Sequence, residues 1–215
     1  MANRFDLVVF DIGSVLVEAG RTLADDIRLA GFVVEPEWLA EFDARLHLHP
    51  RPGVGAIDID RYYEVFAEAS HGVFTVQDGW RMATAGLVKE HAGIATVFDA
   101  LDAVGVDSAL FSNITVAEWL RLFPDMDAAS DLPTLPRARY RFASHLIRAQ
   151  KPDAAAYAEV ERGTGRSGDT ILFFDDREEN IGAARKRGWT AEWIDHSVDT
   201  VEQMLRLLRQ HSVIE

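Results

Sequence analysis

The chain has no cysteine, which excludes disulfides, thiolate metal sites and a cysteine nucleophile. It also lacks any run approaching the roughly 18 apolar residues of a membrane-spanning helix. Basic residues are outnumbered, 22 Lys and Arg against 35 Asp and Glu, for a formal net charge of −13. Such a surface repels nucleic acid and anionic lipid, whose recognition requires clustered Lys and Arg. Neither nucleic acid nor a membrane is therefore an expected partner. There is no internal repeat and no low-complexity tract, and the pattern carries no signal for an oligomeric state. The stretch Met1-Ala2-Asn3-Arg4-Phe5-Asp6 leads straight into the first apolar run and is cut by Asp6 and Asp11. It does not read as a signal peptide, and a cytoplasmic location is the plain expectation.

At 215 residues, 48% of them hydrophobic, the chain can form one large domain or a core with a smaller insertion. At four places it passes abruptly into a polar group suited to handling phosphate. These are Leu7-Val8-Val9-Phe10 into Asp11, Ala109-Leu110-Phe111 into Ser112-Asn113, the Lys151-Pro152 step, and Ile171-Leu172-Phe173-Phe174 into Asp175-Asp176. Short apolar runs bounded by polar residues read as strands buried on both faces of a parallel sheet. Ligands of open α/β sheets sit at the carboxyl ends of such strands, so carboxylates, a hydroxyl and a lysine would converge at one rim.

After residue 92, helix and strand alternate, the signature of a doubly wound sheet. Ile94, Val97, Phe98, Leu101 and Val104 recur at helical spacing up to Gly105, a C-terminal cap. A strand from Ser108 to Asn113 and a helix from about Thr115 to Pro124 follow. Pro133 and Pro136 mark a loop, Arg141 to Ser144 is a weaker strand, and Pro152 suits the first turn of a helix carrying Ala156 and Val160. The strand at 170–175 precedes a helix through Ile181 and Ala184 that ends at Gly188. A last strand, Thr190 to Ile194, leads to an amphipathic helix with Val201, Leu205 and Leu208. Residues from about 20 to 90 show only helical periodicity: Trp38, Phe42 and Leu46, then Tyr62 and Phe66, then Trp80, Ala83 and Leu87, with a break at Leu48-His49-Pro50-Arg51-Pro52-Gly53. An all-helical insertion between the first and second strands is the expectation.

Gly163-Thr164-Gly165-Arg166-Ser167-Gly168 matches the dinucleotide pattern G-x-G-x-x-G. That fingerprint must follow a strand and open a helix. Here it closes a helix and precedes a strand, so its glycines are turn residues.

The rim residues suit one chemistry. A carboxylate such as Asp11 can attack phosphorus and form an aspartyl-phosphate that water then hydrolyses. Repulsion between carboxylate and phosphate opposes this, so a divalent ion and a fixed cation are needed. Asp175 and Asp176 supply oxygen ligands of the kind Mg²⁺ prefers, Lys151 supplies the cation, and Ser112 with the Asn113 amide can donate hydrogen bonds to phosphoryl oxygens.

These residues, in this order, resemble the motifs of the haloacid dehalogenase-like hydrolase superfamily, and the resemblance spans essentially the whole chain. Asp11 falls on the nucleophile of the first motif, Ser112 on the second, Lys151 on the third, and Asp175 and Asp176 on the paired acids of the fourth. The stretch Phe173-Phe174-Asp175-Asp176-Arg177-Glu178-Glu179-Asn180-Ile181, running on to Ala184 and Gly188, is specific to that superfamily. The resemblance implies a Rossmann-like, doubly wound parallel α/β core (1–18 and 91–215) with an inserted α-helical cap domain (19–90) that closes over the site and helps choose the substrate. It also implies Mg²⁺ held by Asp11, Gly13, Asp175 and Asp176, Asp11 and Lys151 as catalytic residues, and phosphate bound by Ser112, Asn113 and Lys151.

Most phosphatases of the superfamily carry a second Asp two residues after the nucleophile as general acid and base. This chain has Gly13. In the superfamily that position also offers its backbone carbonyl to Mg²⁺, which glycine can still do. What is lost is proton transfer, typically worth about 10²–10⁴-fold, a loss felt least with a good leaving group such as an anomeric sugar phosphate or an acyl phosphate. The segment is similar to a branch reading Asp-x-Gly-Asn-Val that includes α-glucose-1-phosphate phosphatase-like members, with Ser14 in place of that asparagine. His47 and His49, near the proline-rich break, titrate in a useful range but read as surface residues.

The expected function is thus a Mg²⁺-dependent phosphatase acting on a small phosphorylated metabolite, a sugar phosphate being one case. Two alternatives stand beside it. One is a metal-independent 2-haloacid dehalogenase, whose relatives also lack the second Asp but typically place serine and asparagine ahead of the acid in the fourth motif. The other is a non-catalytic phosphate- or partner-binding protein of the same fold.

Overall fold

The computed structural model describes residues 4–49, 58–124 and 131–215. Residues 1–3 and the proline-rich break at 50–53 lie outside them. In chain order the elements begin with β1 (Leu7–Phe10), β2 (Val17–Ala19), α1 (Leu23–Leu29), α2 (Pro36–Leu46), α3 (Ile59–Ala69), α4 (Val76–Ala85) and β3 (Leu87–Glu90). Then come α5 (Ile94–Val104), β4 (Asp107–Ser112), α6 (Val116–Leu122), β5 (Tyr140–Ala143), α7 (Ser144–Ile147) and α8 (Ala154–Thr164). The chain finishes with β6 (Ile171–Asp175), α9 (Glu178–Lys186), β7 (Thr190–Trp193) and α10 (Thr200–Gln210).

Five strands form one sheet in the order β5-β4-β1-β6-β7, with every pairing parallel. The chain builds from β1 outward through β4 to β5, then crosses back to place β6 and β7 on the other side. The order therefore reverses at β1, and the carboxyl ends of β1, β4 and β6 flank the switch point where ligands of such sheets bind. Every residue of β1 and β6 is buried, as continuous apolar runs require of strands covered on both faces. Alternation along the strands divides them between two layers. Val8, Phe10, Leu110, Leu172 and Phe174 pack with α5 and α10 on one face. Leu7, Val9, Ala109, Phe111 and Phe173 pack with α8, α9 and Trp189 on the other.

The helices α1–α4 lie between β2 and β3 and gather around a third cluster built on Ile27, Phe42, Tyr63, Phe66, Phe74 and Met82, which Ala117 of α6 joins. Two of them are started by capping boxes, Thr22 with Asp25 and Thr75 with Asp78. α6 is started in the same way by Thr115 with Glu118.

Four local expectations are corrected. The segment around residues 20–90 is not purely helical at its ends: β2 and β3 pair antiparallel as a two-stranded ribbon, and Leu87 belongs to β3 rather than to the helix before it. Pro152 lies ahead of α8 rather than in its first turn, because Asp153 is the N-cap and the helix opens at Ala154. The strand expected at Arg141 to Ser144 starts one residue earlier, and Ser144 instead opens α7, its hydroxyl accepting from the Ile114 N–H at 3.0 Å. The fourth strand stops at Ser112, leaving Asn113 in the loop.

The ribbon ends in a close crossing. The Gly20 N–H donates to the Gly86 carbonyl at 2.7 Å, and the Asp26 carboxylate rests against both residues. A β-carbon on Gly20 would approach Asp26 Oδ1 to 2.4 Å, and one on Gly86 to 2.7 Å. Close approach, rather than a left-handed backbone, favours glycine at these two places, since a larger residue would have to displace the Asp26 carboxylate.

Candidate active site

β1 is the central strand, so the residue following it emerges at the middle of the rim. The Asp11 N–H donates to the Phe174 carbonyl at 2.9 Å, which ties the chain to β6 one step beyond the ladder. The chain then turns tightly: the Leu16 and Val17 N–H groups return to the Ile12 carbonyl, and Ser14 adopts a left-handed φ of 63°. Gly13 sits inside this turn without positive φ, and a β-carbon there would meet only Ala19 Cβ, at 3.5 Å. A side chain at position 13 is therefore sterically admissible, and the glycine is not imposed by the fold.

The Lys151 ammonium lies 2.7 Å from Asp11 Oδ1 and 2.7 Å from Asp175 Oδ2, above the rings of Phe111 and Phe173. All three charged groups are buried. Burial pushes the Asp11 carboxyl up to about 6 against the pull of Lys151, and the nearby Asp175 charge adds to the push. Burial disfavours the charged lysine as well, but Asp11 and Asp175 together hold its pKa above the ordinary value. The ammonium thus stays charged and fixed next to Asp11.

The two neighbouring acids at the end of β6 divide their work. Asp175 is fully buried, and its oxygens accept from Lys151 Nζ, from Asn180 Nδ2 at 2.9 and 3.0 Å, and from the Arg177 N–H at 2.9 Å. Asp176 faces the cavity and makes an ion pair with Arg21, while its carbonyl accepts from Trp193 Nε1 at 2.9 Å. Asp11, Asp175 and Asp176 each offer an oxygen within 4.8 Å of the others. Three hard oxygen donors at this spacing fit a small divalent cation such as Mg²⁺, and Asp176 already holds one positive group there.

Ser112 ends β4, Asn113 follows it, and both line the same cavity as Asp11, Gly13, Lys151 and Asp176. The Asn113 side chain, however, turns to the lysine loop: its Nδ2 donates to the Lys151 carbonyl and its Oδ1 accepts the Lys151 N–H, both at 2.8 Å. Its side-chain amide is committed to holding that loop and is not turned to a ligand. His47 lines the cavity, half exposed and 3.4 Å from Asp43, whereas His49 is exposed at the surface.

The cavity has a volume of about 510 Å³ and runs from this rim to the helices between β2 and β3. Its far wall carries Asp26 of α1, Tyr63 of α3 and Glu118 of α6. Burial, reinforced by Glu118 and Asp25, pushes Asp26 up to about 7, and burial also raises Glu118.

No protein-family model matches the chain, and no curated protein is significantly similar to it in sequence. Solved structures do match. A predicted HAD-like family hydrolase from Porphyromonas gingivalis superposes with a TM-score of 0.74 at 20% identity, over 96% of this chain and 98% of its own. A HAD-family enzyme from Bacteroides thetaiotaomicron, in complex with magnesium and inorganic phosphate, gives 0.71 at 16% identity, over 91% and 96%. An L-2-haloacid dehalogenase from Xanthobacter autotrophicus gives 0.59 at 19% identity, over 88% and 77%. The fold is that of the haloacid dehalogenase-like enzymes. Within it, the structure brings Asp11, Lys151, Asp175 and Asp176 into direct contact or near contact and sets Gly13, Ser112 and Asn113 around them. Sequence reasoning did not single out Arg21, Asn180, Asp26, Tyr63 or Glu118. Asn180 stands in the fourth-motif stretch, which was its signal. The other four come from helices, or from the loop before one, and carry no local signature of a site.

Proposed function

We propose that the protein is a Mg²⁺-dependent phosphatase of the haloacid dehalogenase-like superfamily that hydrolyses a small phosphorylated metabolite through an aspartyl-phosphate on Asp11. The observation that carries this reading is the buried Lys151 ammonium, 2.7 Å from both the Asp11 and the Asp175 carboxylates, with Asp176 clustered beside those two acids. The Lys151 charge lowers the repulsion met by an incoming phosphate. Asp11 attacks phosphorus, the ester P–O bond breaks, and water then hydrolyses the acyl phosphate. Asp11, Asp176 and the Gly13 carbonyl would hold the ion, with Asp175 behind them. Bound there, Mg²⁺ supplies charge neutralisation at the phosphoryl oxygens. Ser112 Oγ and the Asn113 backbone N–H would face the phosphoryl group, since the Asn113 side chain is engaged with Lys151. Glycine at 13 offers no side chain from that position to protonate the leaving oxygen, which favours leaving groups that depart as stable anions. The segment 19–90 acts as a cap over the core formed by 1–18 and 91–215, and the site operates in the cytoplasm.

The dehalogenase reading has support from the Xanthobacter structure, but a metal-independent enzyme has no use for Asp176 facing the cavity beside Asp11 and Asp175. Phosphate release from a chromogenic ester, with and without Mg²⁺, tests the proposal. Metal-dependent release that disappears in Asp11→Asn is expected. Halide release in the presence of a chelator would move the assignment to the dehalogenase, and no metal-dependent release across a broad panel would move it to a non-catalytic role.

A further inference from the structure

Arg21 pairs with Asp176, one of the three acids suited to a divalent ion, yet the hydrolysis steps do not use it. It stands between β2 and α1, where the backbone is anchored on both sides. The Gly20 N–H donates to the Gly86 carbonyl at 2.7 Å, and the Arg21 N–H donates to Asp25 Oδ2 at 3.1 Å. From that fixed position the side chain reaches over the rim. Its Nη1 donates to Asp176 Oδ2, and to Ser14 Oγ at 3.4 Å in the turn that follows Asp11. The Arg21 side chain is 36% exposed and that of Asp176 only 5%. The arginine is therefore the solvent-side partner of a nearly buried carboxylate.

With Asp11, Asp175 and Asp176 ionised against Lys151 and Arg21, the rim carries one net negative charge. Arg177 also lines the cavity, but its side chain is more than half exposed and 3.7 Å from Glu179, so water and that carboxylate screen it. Asp26, Asp43 and Glu118 line the cavity from the helices α1, α2 and α6 rather than from the rim. A divalent ion alone would leave the rim net positive, which is unfavourable for a largely buried cluster. A phosphate dianion would then return it to one net negative charge. With a neutral residue at 21 the balance differs: the ion alone would neutralise the rim, and phosphate would then overload it. Arg21 thus opposes the ion by itself and favours phosphate once the ion is present. A guanidinium fork that fits a carboxylate fits a phosphate equally well.

We infer that Arg21 couples the two ligands of the rim: it holds Mg²⁺ affinity down while phosphate is absent, and makes Mg²⁺ and phosphate each strengthen the binding of the other. This rests on the phosphatase reading for the identity of both ligands. Because such coupling is reciprocal, the free protein holds Mg²⁺ weakly and a phosphorylated ligand completes the metal site.

The test is calorimetric titration of Mg²⁺ at pH 8, where Asp11 is ionised, with and without saturating inorganic phosphate. Wild type is compared with Arg21→Gln, which removes the charge, and Arg21→Lys, which keeps it. Arg21→Gln should bind Mg²⁺ alone about tenfold tighter than wild type, since a neighbouring unit charge has been taken away. The factor by which phosphate tightens Mg²⁺ binding should fall about tenfold in Arg21→Gln and stay within about threefold of wild type in Arg21→Lys. Equal or weaker Mg²⁺ binding by Arg21→Gln overturns the inference, because the arginine would then be orienting Asp176 for the ion or be screened from it. Tighter binding with an unchanged phosphate effect overturns it too, as does Arg21→Lys behaving like Arg21→Gln. A wild type that shows the coupling but hydrolyses no ester would remove the phosphatase reading and leave the coupling standing. Ester hydrolysis with a Mg²⁺ affinity indifferent to residue 21 would do the reverse, and no Mg²⁺ binding under either condition would overturn both.

Discussion

The rim and the far wall of the cavity are opposites in how they treat charge. At the rim every ionised group is matched: Lys151 lies between Asp11 and Asp175, Asn180 and the Arg177 N–H complete Asp175, and Arg21 meets Asp176. On the far wall Asp26 and Glu118 stand against Tyr63 with no cation among the described residues. A matched network is rigid before anything binds, which suits a site that must position a nucleophile. An unmatched one lowers stability, because each buried carboxyl must be desolvated without a partner charge. The contrast implies that rim substitutions destabilise the protein, whereas neutralising substitutions on the far wall stabilise it.

Lys151→Ala should show the largest effect. It leaves Asp11 and Asp175 facing each other while buried, and breaking a buried pair in this way typically costs about 3–5 kcal/mol. Chemical denaturation at neutral pH measures it, and metal-dependent turnover should disappear as well. A small change would mean that the rim is not the coupled network described. Gly13→Asp sharpens the comparison from the other side. The turn admits a side chain there, so the substitution should restore a proton donor and raise kcat on esters with poor leaving groups by about 10²–10⁴-fold. The dependence of rate on leaving-group pKa should flatten. A folded variant with no gain would show that the rim lacks more than a proton donor.

Asp26→Asn has the smallest effect and the opposite sign. The Asp26 carboxyl rises from its ordinary 3.8 to about 7 on folding. Between these values the folded chain holds a proton that the unfolded chain has lost, so stability falls as pH rises through that window. Asp11 and Glu118 act in the same sense. Asn at 26 should flatten the slope between about pH 4 and pH 7 and leave the protein more stable at pH 8, by on the order of 1–2 kcal/mol once partial solvent access is allowed for. Melting curves across this range decide it; a slope identical to wild type would show that the Asp26 charge is solvated or compensated.

The rim was legible in the sequence because buried parallel strands must be apolar throughout, so the first polar residue after each one marks its carboxyl end. Asp11, Ser112 and Asp175 announce themselves in this way, and five strands and their helices followed from the same alternation. β2 and β3 were not legible. They are three and four residues long, and Val88 and Lys89 are exposed, so neither shows the buried run that revealed the others. The far wall was hidden for a different reason. Asp26 reads as a helix-favouring acid in a first turn, Glu118 as half of a capping box, and Tyr63 as one ring of an aromatic helix face. Each has a sufficient local explanation, and only the fold places them on one surface. Arg21 follows a glycine in a connecting loop and forms its pair with Asp176 across 155 positions of sequence.

Asn113 illustrates how the side chain of a cavity-lining residue can be occupied with the architecture of the site. Its carboxamide splints two loops, donating to one backbone carbonyl and accepting from one backbone N–H of the same residue, 38 positions away. Only a side chain with both a donor and an acceptor can make that double clasp: aspartate keeps the acceptor and loses the donor, and serine is too short to span it. The loop after β4 and the loop bearing Lys151 are consequently one mechanical unit, so a displacement imposed on either is passed to the lysine beside the nucleophile.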